Sequence, residues 1–440
     1  MKKMKLYSLA WPIFVETALF MLLGFVDVYI LSNYDDLAAS SVNTANQAIS
    51  IVTIVFTVIS SASAVMISQY LGGGKRRDAS QTAALSIALH LVFGVIISAA
   101  FLLFNRPVLI LIGAENKILD FGCQYLSIVG GVIFLQALMS SMSVIIRNHG
   151  MTRISMFVTA GMNIFNTTLD IILVPQMGVA GVAIATSISR LLGTAVLAAA
   201  LFTKVEKLSI FRLLRPFPFK SLKNIVTIGV PSALETFLYN LSQLVITSIV
   251  LNFLTDNELI TKTYVQNITM FFYIFALSIG QASQIMTGHL VGAEKFDEAY
   301  RQCLKSLRYS LLIAAAVCTL GICFRSQLLG IFSDNAEVLA LGANILLLNC
   351  FLEVGRTTNL IVIACLRGAG DVFFPSACAV FSNWVLSVLV SYILAVVFRL
   401  GIYGLWIALA ADECFRAALM LLRWKSGKWR EKSIAKREKE

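Results

Sequence analysis

Charge is what this chain has least of. Only 13% of its 440 residues are Asp, Glu, Lys or Arg, against roughly 25% in soluble domains, and that excludes an ordinary soluble globular protein. Histidine is nearly missing: His90, His149 and His289 are dispersed, which argues against a histidine-built metal centre. The eight cysteines contain no CxxC pair and sit mostly inside apolar runs. They read as small buried hydrophobes, with neither a disulfide framework nor a zinc site indicated. Gly72-Gly73-Gly74-Lys75 lacks the spacing of the phosphate-binding G-x-x-x-x-G-K-[ST] loop and reads as a tight turn. No other nucleotide motif is present, so nucleotide hydrolysis is not the source of energy. No small-residue cleavage site follows the first apolar run, which is therefore a retained span and not a removed signal peptide.

What is present is apolar sequence, 58% of the chain, in repeated blocks long enough to cross the hydrocarbon layer of a bilayer. Reading apolar runs against charged breaks places spans near 6–31, 43–70, 81–104, 119–146, 154–174 and 179–202. A second set falls near 223–251, 262–290, 302–324, 337–366, 373–398 and 402–423. With both ends cytoplasmic, 27 of the 35 Lys and Arg fall on the inner side and five on the outer, as the positive-inside rule requires. The net charge of +11 is thus a membrane topology signal and does not indicate nucleic acid. The fold expected is all-α and polytopic, with twelve transmembrane helices. The domains are an N-terminal six-helix lobe over 1–202, a cytoplasmic linker over 203–222, a C-terminal six-helix lobe over 223–423 and a basic cytoplasmic tail over 424–440.

The two halves repeat. ASAVMISQYLGGGKRRDA (62–79) and ASQIMTGHLVGAEKFDEA (282–299) share Ala62/Ala282, Ser63/Ser283, Met66/Met286, Gly72/Gly292, Lys75/Lys295 and Ala79/Ala299. IRNHG (146–150) matches LRGAG (366–370), Pro12-x-x-x-Glu16-Thr17 matches Pro231-x-x-x-Glu235-Thr236, and GVAGVAIA (178–185) matches GIYGLWIA (401–408). An even number of spans per half gives both repeats one orientation, hence pseudo-symmetric lobes related by an axis along the membrane normal, with a cavity between them.

At this point the chain resembles the multidrug and toxic compound extrusion (MATE) family. LAWP (9–12), GFVD (24–27), SQYLGGGKRRDA (68–79), RNHGMTR (147–153), NTTLD (166–170), GVAGVAIATSISR (178–190), GVPSALE (229–235) and LRGAGDVFFP (366–375) carry the match in order. The resemblance implies two six-helix lobes in a V shape that export organic, often cationic compounds in exchange for Na⁺ or H⁺. It also implies a cation or proton site at the positions matching Asp27, Asn166, Asp170 and Thr186.

The intramembrane polar residues can also be read without that resemblance. Charge at membrane depth is costly and usually faces a polar cavity. Glu16 and Asp27 lie three helical turns apart on one face of the first span. Asn166 and Asp170, at i and i+4, share a face of the fifth. Asp27, Asn166, Asp170 and Thr186 fall at one outer-half depth, and their oxygens suit a hard cation such as Na⁺. Alternatively, the two carboxylates share a proton, or all four simply hydrogen-bond neighbouring helices. Asn163 is a weaker candidate because its register departs from the N-x-x-L-D spacing. Glu16 could pair with Arg190. In the second lobe Glu235, Glu353, Arg356, Asp412, Glu413 and Arg416 lie near mid-span. Glu353/Arg356 and Glu413/Arg416 are i,i+3 pairs that read as a structural ion-pair network, with coupling or substrate binding as the alternative. Tyr239 and Arg356 stand where well-known members of the family carry acids, so a second-lobe cation site of that type is not expected.

The reading that follows is an antiporter, not an enzyme, in the plasma membrane. It needs no cofactor beyond Na⁺ or H⁺ as coupling ion. Its partners are small organic substrates and membrane lipids, and it works as a monomer. A flippase of lipid-linked saccharides is the transporter alternative, disfavoured by seven intramembrane acids against three bases. An intramembrane enzyme would need a nucleophile or metal motif that is missing.

Overall fold

The computed structural model describes residues 4–205 and 213–434. Part of the expected linker (206–212) and the end of the expected tail (435–440) lie outside the described residues. The first six helices are α1 (Leu6–Ser32), α2 (Asp36–Gly72), α3 (Arg76–Leu111), α4 (Asn116–Gly130 and Ile133–Asn148, bent by 47°), α5 (Thr152–Met177) and α6 (Val179–Lys204). The next six are α7 (Phe219–Phe253), α8 (Asp256–Gly292), α9 (Phe296–Cys323), α10 (Ala336–Gly368), α11 (Phe373–Val397) and α12 (Gly401–Lys425). Among the described residues there is no strand. Ten of these helices, and the bent α4 as an eleventh, are long and apolar enough to span a membrane. The twelfth, α12, carries Asp412, Glu413 and Arg416.

Several helices begin earlier than their apolar runs suggest. α2, α3 and α8 start at Asp36, Arg76 and Asp256, because polar first turns extend the helix beyond the hydrocarbon layer. Acidic residues there also complement the N-terminal end of the helix dipole. At the start of α8, Thr255 and Glu258 form a reciprocal capping box, and Glu258 Oε1 also accepts the Ile402 N–H at the start of α12 at 2.7 Å. One acid thereby satisfies orphan donors of two helices. Lys262, which reads as an outer-loop charge in the sequence, lies inside α8. It is buried and donates to Thr247 Oγ1 at 3.2 Å.

Breaks in the helices have local causes. Phe104 in α3 departs to φ −124°, ψ 24° three residues before Pro107, whose ring lacks an N–H and crowds the preceding turn. The bend in α4 falls at Gly130–Gly131, where a β-carbon would meet Phe101 or Leu102 of α3 at 2.9 Å.

The chain separates into two compact units, one of Met1–Leu71 and Lys75–Gly229, the other of Gly72–Gly74 and Val230–Glu440. In the first, α5 packs on α1 and α6, and α3 on α4. In the second, α10 packs on α8, α9 and α12. The internal repeat is visible in packing detail. Leu109 lies against Gly122 as Leu329 lies against Gly342, an offset of 220 in both members. Gly178 and Gly401 both take φ +55°. At Gly181 and Gly404 the missing side chain lets the following helix approach the backbone of Leu173 and of Leu394, where a β-carbon would stand 2.7 Å away. These shared constraints make the lobes pseudo-symmetric in structure.

The start of the tail is built in and does not hang free. Trp424 and Trp429 are fully buried and stack at 4.2 Å. Tyr300 of α9 stacks on Trp424 at 6.3 Å, and Arg430 pairs with Asp297 at 2.9 Å.

Candidate functional site

In the first lobe α1, α5 and α6 bring Asp27, Asn166, Asp170 and Thr186 together, all buried. The Asn166 carboxamide is oriented by its hydrogen bonds. With its nitrogen toward the acids it donates to Asp27 Oδ1 at 3.0 Å and Asp170 Oδ2 at 3.2 Å, while its oxygen accepts the Thr186 backbone N–H at 3.2 Å. Asp27 and Asp170 are also within hydrogen-bonding reach of each other. Asp170 Oδ1 and Thr186 Oγ1 are buried without a partner. Two carboxylates without a counter-charge in contact, bridged by one neutral donor, leave oxygen valence for a cation or a proton.

A cavity of about 610 Å³ opens beside this group, lined by Glu16 and Asp27 of α1, Tyr125, Gln136 and Arg147 of α4, and Arg190 of α6, among others. Tyr125 donates to Asn46 Oδ1 at 3.4 Å across it. Glu16 faces the cavity with Ser143 and Arg147 as polar neighbours, and its Oε2 has no hydrogen bond. The expected Glu16–Arg190 pair is not formed among the described residues. One turn of α6 from Thr186 puts Arg190 beside Asp27 and Tyr125 instead. Asn163 is not part of the carboxylate group. Its Nδ2 donates to the Leu19 carbonyl at 2.6 Å, which straps α5 to α1.

The second lobe arranges its charges differently. Arg356 pairs with Glu353 at 2.7 Å and approaches Glu413 at 3.7 Å. Arg416 pairs with Asp412 at 2.7 Å and Glu413 at 3.0 Å. Asn359 donates to Glu413 at 3.0 Å, Asn349 to Glu353 at 3.4 Å and Ser387 to Asp412 at 2.8 Å. This network ties α10 to α12 and α11. Glu235 of α7 is bound separately, by Arg367 and by Ser376 Oγ, both at 2.6 Å. Sequence reasoning placed Arg367 in a loop and missed this pair. The clue available was that Pro-x-x-x-Glu and R-x-x-G repeat together, as Glu16/Arg147 and Glu235/Arg367.

Twelve helices in two halves that repeat in sequence, most of them long and apolar enough to span a membrane and each half burying charged side chains, define a polytopic membrane transporter. The MatE family model matches residues 12–172 and 231–393, and the chain belongs to this family of MATE transporters. An uncharacterized transporter of Bacillus subtilis, YisQ, is 35% identical over 99% of this chain and 96% of its own length. A probable multidrug resistance protein NorM of Thermotoga maritima is 28% identical over 99% and 95%. Among solved structures, MATE in a bent conformation superimposes with a TM-score of 0.89 over 96% of this chain and 94% of that one, at 20% identity. That last likeness concerns the fold alone.

Proposed function

We propose that this protein exports small organic compounds across the plasma membrane in exchange for Na⁺ or H⁺. The observation that carries the reading is the Asp27–Asn166–Asp170 group set against a 610 Å³ cavity in the same lobe. The relatives named multidrug resistance proteins support the substrate class. The placement of 27 Lys and Arg on one side against five on the other supports cytoplasmic termini. Both lobes belong to one chain, which is consistent with action as a monomer.

In the unloaded site the Asn166 amide donates to both carboxylates and offsets part of their repulsion. A proton lying between Asp27 and Asp170, or a Na⁺ held by their oxygens and Thr186 Oγ1, removes that repulsion more completely. With Na⁺ the carboxamide turns so that its oxygen joins the ligands. Loading therefore changes what holds α1 against α5 and α6, and this differential is what lets an ion gradient select between two conformations of the lobe. Glu235, Glu353, Arg356 and Glu413 are scaffold in this scheme, since each already has an opposite charge in contact.

The test is export of a fluorescent cationic dye from proteoliposomes, with the Na⁺ and pH gradients imposed one at a time. Dye movement that follows one of them supports the reading and identifies the ion. Movement that follows neither overturns it.

A further inference from the structure

We propose that the N-terminal turns of α9 form a binding site for an anionic phospholipid, with Arg301, Lys305 and Arg308 on its headgroup and Leu312 against its acyl chains. The site stands whatever the protein transports.

The three cations follow one another at intervals of four and three residues, which places them on one face of the helix. All three are exposed. Leu312 and Thr319 continue the same stripe and are exposed as well, while Cys303, Ser306, Leu307 and Ser310 on the opposite side are buried. The stripe changes character once. Charge ends at Arg308, and the fifteen residues from Tyr309 to Cys323 contain none, a rise of about 22 Å. The open face is therefore basic where α9 leaves the hydrocarbon layer and apolar where it lies within that layer. Tyr309, 48% exposed, marks the change, where amphipathic rings favour the headgroup level. The Lys305 ammonium lies 6.0 Å from its ring centre. A phospholipid carries its charge and its hydrocarbon in the same order along its length.

These cations have no counter-charge in the protein. None of the three makes a salt bridge or side-chain hydrogen bond among the described residues. The acids at this end of the helix are already engaged, Asp297 with Arg430 and Glu298 with Lys295, both at 2.9 Å. Like charges three and four residues apart on a helix repel one another, and an anion that bridges them turns that repulsion into attraction. The two guanidinium forks suit phosphate oxygens, which they can hold by paired hydrogen bonds.

The other repeat shows that an open basic face is not a requirement of the fold. At the equivalent positions, 220 residues earlier, α3 carries Gln81, Leu85 and Ala88. Leu85 is buried, and Gln81 Nε2 donates to the Leu213 carbonyl at 3.1 Å, so protein covers that face of α3. On α9 the face is left to the surroundings and all three positions are cationic. An acidic soluble protein would match the charge alone, whereas Leu312 extends the stripe to a depth where the surrounding medium is lipid.

The test titrates the full-length protein in detergent with dioleoyl phosphatidylglycerol or dioleoyl phosphatidylcholine and counts bound lipids by native mass spectrometry. The wild-type protein is expected to prefer phosphatidylglycerol about tenfold, within the limit of about fivefold for each basic residue near an anionic surface. The triple variant Arg301→Gln/Lys305→Gln/Arg308→Gln should lose that preference with its unfolding temperature unchanged, since all three side chains are exposed. A second triple, Lys223→Gln/Lys425→Gln/Lys428→Gln, removes the same charge from other exposed positions and should keep the preference. Excess glycerol phosphate should not displace the lipid, because it has nothing to place on Leu312. Equal losses in both triples would mean diffuse attraction to a basic protein and overturn the site. A preference that the α9 triple leaves unmoved, or no preference in the wild type, overturns it as well. Displacement by glycerol phosphate overturns the lipid as occupant.

Discussion

The two lobes place a glutamate at matched positions and surround its carboxylate in opposite ways. In the second lobe Glu235 and Arg367 meet at 2.6 Å, with Ser376 completing the carboxylate. In the first, Glu16 borders the cavity beside Arg147 with one oxygen unbonded. The contrast extends to the rest of each lobe. Asp412, Glu413 and Glu353 are each within 3.0 Å of an arginine, whereas among the described residues Asp27 and Asp170 are bridged by a neutral amide and Arg190 Nη1 has no partner. A closed ion pair has spent its valence on holding helices together. An open one retains it for something that arrives. On the exporter reading the two halves divide the work, and the asymmetry lies in which carboxylates have an arginine in contact.

The largest effect expected is on transport. Asp27→Asn should reduce gradient-driven dye export to the passive leak in proteoliposomes while leaving an unfolding temperature no lower than wild type, because the amide keeps an acceptor for Asn166 and removes the repulsion from Asp170. Normal export by that variant would break the comparison outright. The converse holds in the second lobe. Arg416→Met leaves Asp412 with only the Ser387 hydroxyl and Glu413 with Asn359 and the more distant Arg356, and opening a buried pair of this kind costs about 3 kcal/mol. It should therefore appear as a lowered unfolding temperature of the purified protein, with the protein that remains folded still exporting dye in a gradient-dependent way. A variant that is stable yet fails to export would assign the network to coupling and erase the division.

How much of this is legible in the sequence depends on the kind of contact. The twelve helices are, because long apolar runs and the distribution of Lys and Arg are one-dimensional signals. The grouping of Asp27 with Asn166, Asp170 and Thr186 is legible for a related reason: an i,i+4 step and a common depth follow from helix geometry and span ends. Contacts that need rotation about helix axes are not. Arg190 could as well have faced Glu16, and Arg367 and Lys262 read as loop charges because an apolar-run count stops at the first charge. Helix ends reach further than apolar runs where polar first turns are capped, as at Asp256. Trp424 and Trp429 read as part of a basic tail, although the stacking of Trp424 on Tyr300 and of Trp429 on Trp424 is a tertiary event with no periodic signal.

The shared scaffold has its own prediction, which sharpens the contrast by showing where it stops. Gly181→Ala and Gly404→Ala each drive a β-carbon to within 2.7 Å of backbone at the equivalent crossing. Overpacking against backbone costs about 2 kcal/mol, so both should lower the unfolding temperature by similar amounts. If one lobe tolerates its alanine and the other does not, the structural symmetry is weaker than matched packing suggests.

The smallest effect is the most discriminating, because it compares one residue type at one repeat position. Glu235→Gln loses the charge that Arg367 and Ser376 both engage, and hydrogen bonds to a charged group contribute about 1.5 kcal/mol each to stability. Only part of that is expected here, since the Glu235 and Arg367 side chains retain 16% and 23% exposure. A loss of about 1.5 kcal/mol in all should be resolved by denaturation of the purified protein. Glu16→Gln removes a charge whose Oε2 has no hydrogen-bond partner, so its folding stability should be unchanged or slightly raised, because a neutral amide is easier to bury than a carboxylate. The open position should answer in ligand binding and the closed one in stability. Equal losses of stability at both would mean that Glu16 is as much a structural residue as its counterpart.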